Sequence, residues 1–256
     1  MENKKIKIEL LFLGSGNAFA PGRAYGSFLV DDRILFEATP TTLPAIRELN
    51  IPMEDIQYLF ISHFHGDHCF GLPFIFLDHY FVTKREKPLT IIGPKGLKKF
   101  SQDLIDLAFP DTRKRYSRNF PLEIMEVSPG KEYSLKAMTF KVFKMSHGKT
   151  YNLGFSLTYK KRRLAYSGDT GPGPSLLKLL QGANIAILEM TSIDGDYPFH
   201  LNQKNILEIR KHLPPEIPLI LTHLPALTRR QAKALEQNPY GVLLPAEDRQ
   251  RYQFNL

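Results

Sequence analysis

The sequence predicts an α/β fold, and three observations lead there. Short apolar runs of strand length alternate with helical stretches along the whole chain. Several of these runs end on a His or an Asp, as expected of a site built from loops at one edge of a sheet. No repeat, low-complexity tract or linker interrupts the 256 residues, so one domain spanning 1–256 is expected.

The elements follow in order. Ile6–Leu13 alternates like a strand; Ser27–Val30 and Arg33–Glu37 read as a strand pair joined by an Asp31-Asp32 turn. Pro44–Leu49 reads as a short helix, and Gln57–Ser62 as a buried strand. Leu89–Ile92 is a further strand, which Gly93-Pro94 is expected to turn into a basic helix, Lys95–Phe109. Leu122–Val127 and Met138–Ser146 are strands. Gly154–Tyr159 and Arg163–Ser167 form a hairpin about Lys160-Lys161-Arg162. Pro174–Leu180 is a helix and Ile185–Glu189 an apolar strand. Asn202 caps a helix to about His212, Leu219–Thr222 is a strand, and Thr228 caps a helix to Gln237.

Composition narrows the function classes. With 43% hydrophobic and 23% charged residues the chain reads as an ordinary soluble protein. A net charge of +8 favours anionic partners without choosing among them. Its single cysteine, Cys69, excludes an internal disulfide framework and fits a reducing compartment. Its place after His68 makes it a packing residue or a ligand. No apolar run reaches signal-peptide or membrane-spanning length, so a cytoplasmic protein with no membrane partner is expected.

The densest chemistry lies in His63-Phe64-His65-Gly66-Asp67-His68. A strand ending in a tight loop would aim three imidazoles and a carboxylate at one small volume. That donor set suits zinc or a similar divalent ion. Four further residues stand at strand ends: His147, Asp169 in the Gly turn Ser167-Gly168-Asp169, Glu189 and His223.

Together, Leu13-Gly14-Ser15-Gly16, the His63–His68 cluster, His147, Ser167-Gly168-Asp169-Thr170 and Thr222-His223 resemble the metallo-β-lactamase superfamily. Leu188-Glu189-Met190-Thr191 and His200-Leu201-Asn202 are similar to segments of its ribonuclease Z branch. The resemblance implies a four-layer αββα sandwich carrying two divalent ions, zinc foremost, with manganese or iron as alternatives. His63, His65 and His147 would hold one ion; Asp67, His68 and His223 the other; Asp169 would bridge them. It further implies a phosphodiesterase that uses a hydroxide held between the ions. Asp67 would orient that nucleophile, and His200 would protonate the departing oxygen with Glu189 fixing its tautomer. Glu37 falls where relatives often carry an Asp and could support a ligand His.

Two departures bear on the substrate. His147 and Asp169 are 22 residues apart, which leaves no room for the tRNA-gripping arm of the common bacterial ribonuclease Z. After His223 the chain reads Leu224-Pro225-Ala226-Leu227 rather than a Ser-Arg-Tyr type of sequence. The expectation is therefore a small phosphodiester such as a cyclic nucleotide, with RNA, as in a tRNA 3′-end endonuclease, as the alternative. Three basic clusters, Lys95–Lys99, Arg113–Arg115 with Tyr116 and Arg118, and Lys160–Arg163, would serve the RNA reading. A thioesterase or a non-catalytic metal-stabilised module ranks lower. By the same resemblance the protein is expected to be a homodimer, with Gly71–Leu77, Tyr80 and Phe81 as the candidate interface or else a core helix.

Overall fold

A computed structural model describes residues 6–112, 121–195 and 197–256. The basic cluster Arg113–Arg115 with Tyr116 and Arg118 lies outside them. β1 (Lys7–Gly14), β2 (Ser27–Val30) and β3 (Ile34–Phe36) run antiparallel. The β2–β3 turn is Asp31-Asp32, both at positive φ, which matches the strand twist. α1 (Thr42–Glu48), a 3₁₀ turn (Met53–Asp55), β4 (Tyr58–Phe60), α2 (Gly66–Cys69) and α3 (Leu72–Leu77) follow. α3 runs into a π-helical turn at Asp78–Val82, then come β5 (Leu89–Pro94), α4 (Leu97–Ala108) and β6 (Leu122–Val127). Next are β7 (Glu132–Leu135), β8 (Met138–Met145), β9 (Asn152–Tyr159), β10 (Arg162–Tyr166), α5 (Pro174–Leu180) and β11 (Ile185–Glu189). α6 (Gln203–His212), β12 (Leu219–Thr222), α7 (Arg229–Glu236), β13 (Leu243–Pro245) and β14 (Arg251–Asn255) complete the chain.

The strands form two seven-stranded mixed sheets, ordered β14-β1-β2-β3-β4-β5-β6 and β13-β12-β11-β10-β9-β8-β7. Strand alternation sends one set of side chains between the sheets and the other outward under the helices. Leu10, Phe12, Phe28, Phe36 and Phe60 thus meet Phe140, Phe155 and Tyr166 in the inner layer. Leu11, Leu13, Leu29 and Leu59 pack outward with Ile46, Ile75 and Leu97 from the helices. On the other side Ala186, Leu188, Leu219 and Leu221 pack outward with Leu176, Leu179, Ile206 and Leu235. This is the αββα sandwich that the sequence motifs imply.

Two sequence expectations are corrected. Gly93-Pro94 closes β5 rather than turning the chain; the turn falls at Gly96, φ 92°, so the basic helix starts at Leu97. The His63–His68 segment is a loop followed by the one-turn α2, in which Asp67 and His68 sit. Of the apolar stretch 71–77, Leu72, Ile75 and Phe76 are core and Phe74 is exposed. The edge strands β7 and β14 have no counterpart in the sequence reading. Asn202 and Thr228 do form full capping boxes at α6 and α7.

Candidate metal centre

Parallel pairing of β3–β6 and of β10–β13 points several strands the same way, so their C-terminal ends share one edge of the sandwich. The loop after β4 carries His63 and His65, and α2 carries Asp67 and His68. From the other sheet come His147 after β8, Asp169 after β10, Glu189 at the end of β11 and His223 after β12. The two edges are pinned together beneath the site, where Leu153 N–H donates to the Ser62 carbonyl at 3.1 Å. Gly168 makes this approach possible: it sits at φ 57°, and a Cβ there would lie 2.8 Å from Ser62 Cβ.

The seven residues converge. Asp169 Oδ2 lies 3.8 Å from His63 Nε2, 3.8 Å from His147 Nε2 and 3.5 Å from His223 Nε2. Its Oδ1 lies 3.3 Å from His68 Nε2. Asp67 Oδ2 is 3.6 Å from His68 Nε2 and 3.4 Å from His223 Nε2, and His65 Nδ1 is 3.3 Å from His147 Nε2. Three groups could each hold an ion: His63, His65, His147 and Asp169 on one side, Asp67, His68 and His223 on the other, and Asp169, His200 and His223, which overlaps the first through Asp169 and the second through His223. Asp169 touches both of the first two.

Whether this set fits metal ions can be judged from its unpaired atoms. His63 Nε2, His68 Nε2 and Asp169 Oδ1 are buried and have no hydrogen-bond partner among the described residues. Such atoms are costly unless something supplies the missing contact. Three orphaned donors of imidazole and carboxylate type, all aimed at one point, are what divalent ions would satisfy. The outward ring nitrogens of His63, His147 and His223 are engaged as metal-ligating imidazoles require, whereas His68 Nδ1 makes no hydrogen bond among the described residues. His63 Nδ1 meets Ser62 Oγ at 2.9 Å, His147 Nδ1 donates to the Phe199 carbonyl at 3.3 Å, and His223 Nδ1 meets Thr191 Oγ1 at 3.0 Å. His68 Nδ1 faces Glu37 Oε1 at 3.6 Å. Glu37 is itself buried and accepts from Ser62 N–H and the Tyr166 hydroxyl.

Electrostatics separate the imidazoles. Burial, reinforced by neighbouring His68, holds His63 well below its ordinary value. Burial also disfavours charge on His68, yet Asp169 and Glu37 outweigh it and push this ring well up. Burial likewise disfavours an ionised Asp169, but His223 and His68 hold its carboxyl well below the usual range.

Glu189 and His200 form a separate unit beside the ligands. His200 Nδ1 donates to Glu189 Oε1 at 2.8 Å, and Glu189 also accepts from Thr170 N–H at 2.7 Å. Burial works against protonated His200, but the Glu189 hydrogen bond prevails and raises its pKa. The His200 ring stacks parallel to His223, centroids 5.6 Å apart.

Some contributors were not legible beforehand. Thr191 is the main one: its hydroxyl donates to Glu189 Oε2 at 2.8 Å and lies 3.0 Å from Nδ1 of both His200 and His223. Asn152 is buried and donates to the Asp169 carbonyl. Glu37 and His223 share a left-handed backbone, φ 64° and 54°, that aims their side chains into the site. Cys69 is no ligand here; its buried thiol donates to the His65 carbonyl, and burial pushes its pKa up.

The family model described as anti-Pycsar protein Apyc1 matches residues 8–234. A ribonuclease Z of Geobacillus kaustophilus is 31% identical over 203 residues, covering 73% of this chain and 63% of that protein. The chain thus spans under two thirds of that relative's length. Among solved structures, the metallo-β-lactamase fold protein YhfI from Bacillus subtilis superposes with a TM-score of 0.76 at 19% identity, covering 97% of this chain and 100% of that one. The short form of human tRNase Z gives 0.74 at 22%, covering 95% and 98%.

Proposed function

The chain belongs to the family of the anti-Pycsar protein Apyc1, within the metallo-β-lactamase superfamily and of ribonuclease Z-like type, and from this we propose a metal-dependent phosphodiesterase acting on a small substrate such as a cyclic nucleotide. The observation that carries the reading is the pairing of a convergent seven-residue His/Asp centre with the His200–Glu189 dyad. His63, His65 and His147 would hold one ion and Asp67, His68 and His223 the other, with Asp169 between. Two divalent ions, zinc in the first instance, supply Lewis acidity toward phosphoryl oxygens and make water a better nucleophile at neutral pH.

The chain's own residues do the rest. Asp67 is kept ionised, since His223 and His68 outweigh the burial that opposes its charge. It can therefore orient attacking water by accepting a hydrogen bond. Water gives up one proton to the Asp67 carboxylate as it adds to phosphorus, the P–O ester bond breaks, and its electron pair leaves on the departing oxygen. With Nδ1 of His200 engaged by Glu189 and Thr191, Nε2 is the atom that delivers the proton to that oxygen. Before that transfer Glu189, bonded to Nδ1, stabilises the imidazolium and leaves Nε2–H as the proton to be given.

The small-substrate reading is supported by the segment between His147 and Asp169. It is filled by β9 and β10, joined across Lys160-Lys161 alone, so the chain has no arm there. Precursor tRNA is the second reading, favoured by the ribonuclease Z relatives and the basic balance. Of the basic groups that could track RNA, Lys160 is tied to Asp31 at 2.5 Å and Arg163 to the Gln181 carbonyl. The protein would work in the cytoplasm as a homodimer, with exposed Phe74 and Phe81 in its contact. Purified protein offered cyclic nucleotides and precursor tRNA side by side tests the proposal. Efficient cyclic-phosphate opening without tRNA cleavage is the expected result. Salt-sensitive cleavage of precursor tRNA alone would replace it with the second reading.

A further inference from the structure

We infer that Phe199, together with the stacked pair Tyr197 and Phe19, is a binding wall for the planar base attached to the scissile phosphate; this rests on the phosphodiesterase reading above. Phe199 has a backbone conformation, φ 68°, that a bulky side chain rarely adopts. What it gains is position. Its carbonyl accepts from the ligand His147, and the next residue is the proton donor His200. Its ring rests over Gly148, where a Cβ would come within 3.1 Å of it, and its backbone crosses Gly171, where a Cβ would lie 3.2 Å from Phe199 Cα. Two glycines thus make room for the segment, yet the seated ring remains 54% exposed. A ring held in place beside reacting groups but left uncovered presents a face to something that arrives.

Tyr197, two residues before Phe199, and Phe19 form a second exposed aromatic pair. Their centroids are 6.4 Å apart at 25°, and both are more than half exposed. Tyr197 is tied to the site through the chain itself and Phe19 through the Asn17 side chain. Tyr197 lies on the segment leading into His200. Phe19 follows Asn17, whose side chain accepts from Phe19 N–H at 3.1 Å and donates to the Thr191 carbonyl at 3.3 Å. The three side chains carry no charge, so they suit the uncharged face of an aromatic ring rather than phosphate. Stacking of this kind tolerates any base.

Hydrolysis of a 3′,5′-cyclic nucleotide by the metal-loaded enzyme, compared with the same cyclic ribose phosphate lacking its base, tests the inference. The wild type is expected to favour the base-bearing substrate by about tenfold or more in kcat/KM, chiefly through KM. Phe199→Leu and, independently, Tyr197→Leu should lower that ratio several-fold, and Phe199→Trp should restore it. An unchanged ratio in folded Tyr197→Leu and Phe199→Leu, or equal losses on both substrates, would overturn the wall while leaving the phosphodiesterase reading intact. If Phe199→Leu does not fold, Tyr197→Leu decides. If the wild type hydrolyses neither substrate, the functional reading falls and the inference falls with it.

Discussion

The first sheet delivers its candidate ligands from six consecutive positions, His63 to His68, whereas the second draws on separate strand ends at His147, Asp169 and His223, with Glu189 and His200 beside them. The first set is held by local chain geometry: a buried strand, two loop residues and one helical turn. The second set exists only when β8, β10, β11 and β12 are in register. The two sets also differ in their support. Ser62 and Glu37 lie behind the first, while a single hydroxyl, Thr191, ties His223 to the Glu189–His200 dyad in the second. Local motifs therefore mark such a centre in sequence, but its chemistry depends on long-range pairing.

The strongest way to break this division is to remove the residue both halves share. Asp169→Ala should lower kcat/KM by more than about 10⁴-fold in a steady-state assay. A ligand from either set, such as His65→Ala or His223→Ala, should approach the same loss. A residual rate near wild type in any of them would contradict the shared centre. Next, His200→Ala should lower kcat by roughly 10²–10⁴ for phosphodiesters with poor leaving groups and by less for good ones. Equal losses on both would argue against proton donation.

Thr191→Val should cost about 10- to 100-fold in activity or metal affinity, with Thr191→Ser recovering most of it. Failure of serine to rescue would show that the methyl, not the hydroxyl, matters. The halves can also be compared without touching the site, because each contains a buried arginine collecting loop carbonyls. Arg85 donates to Met53, Ile56, Lys87 and Pro88, and Arg210 to Leu213, Pro214, Ile217 and Val242. Replacing either with Met should lose about 3 kcal/mol of stability in urea, because several carbonyls are left unpaired. Arg210→Met should harm activity more, since its carbonyls flank β12 and β13, which carry and support His223.

A last prediction concerns pH and the first half alone. Burial and Arg85 lower the His79 pKa from 6.5 to about 4. The folded state therefore favours the neutral ring. Its contribution is present above pH 6.5 and is lost as pH falls toward 4, by up to about 3 kcal/mol. His79→Gln should flatten that part of the stability–pH curve; an unaltered curve would assign the acid limb to other groups.

Much of this molecule was legible because its signals are local. The His63–His68 spacing, the caps at Asn202 and Thr228 and the apolar strand Ile185–Glu189 each state their own structure. What escaped has a common physical reason. β14 pairs with β1 through a segment in which polar Arg251, Gln253 and Asn255 alternate with Tyr252 and Phe254, too polar to read as a strand without its partner. Thr191 and Asn152 are ordinary polar residues in sequence and acquire roles only when distant strands meet. The left-handed backbone at Glu37, Phe199 and His223 is imposed by the surroundings, against the preference of those residues.

Metal content per chain tests the central claim most directly. Two ions per wild-type chain, falling to about one in His63→Ala and in His223→Ala, is the predicted result of elemental analysis on protein purified and re-loaded with zinc. One ion or none in the wild type, or unchanged content in both variants, would contradict a centre shared between the two sheets.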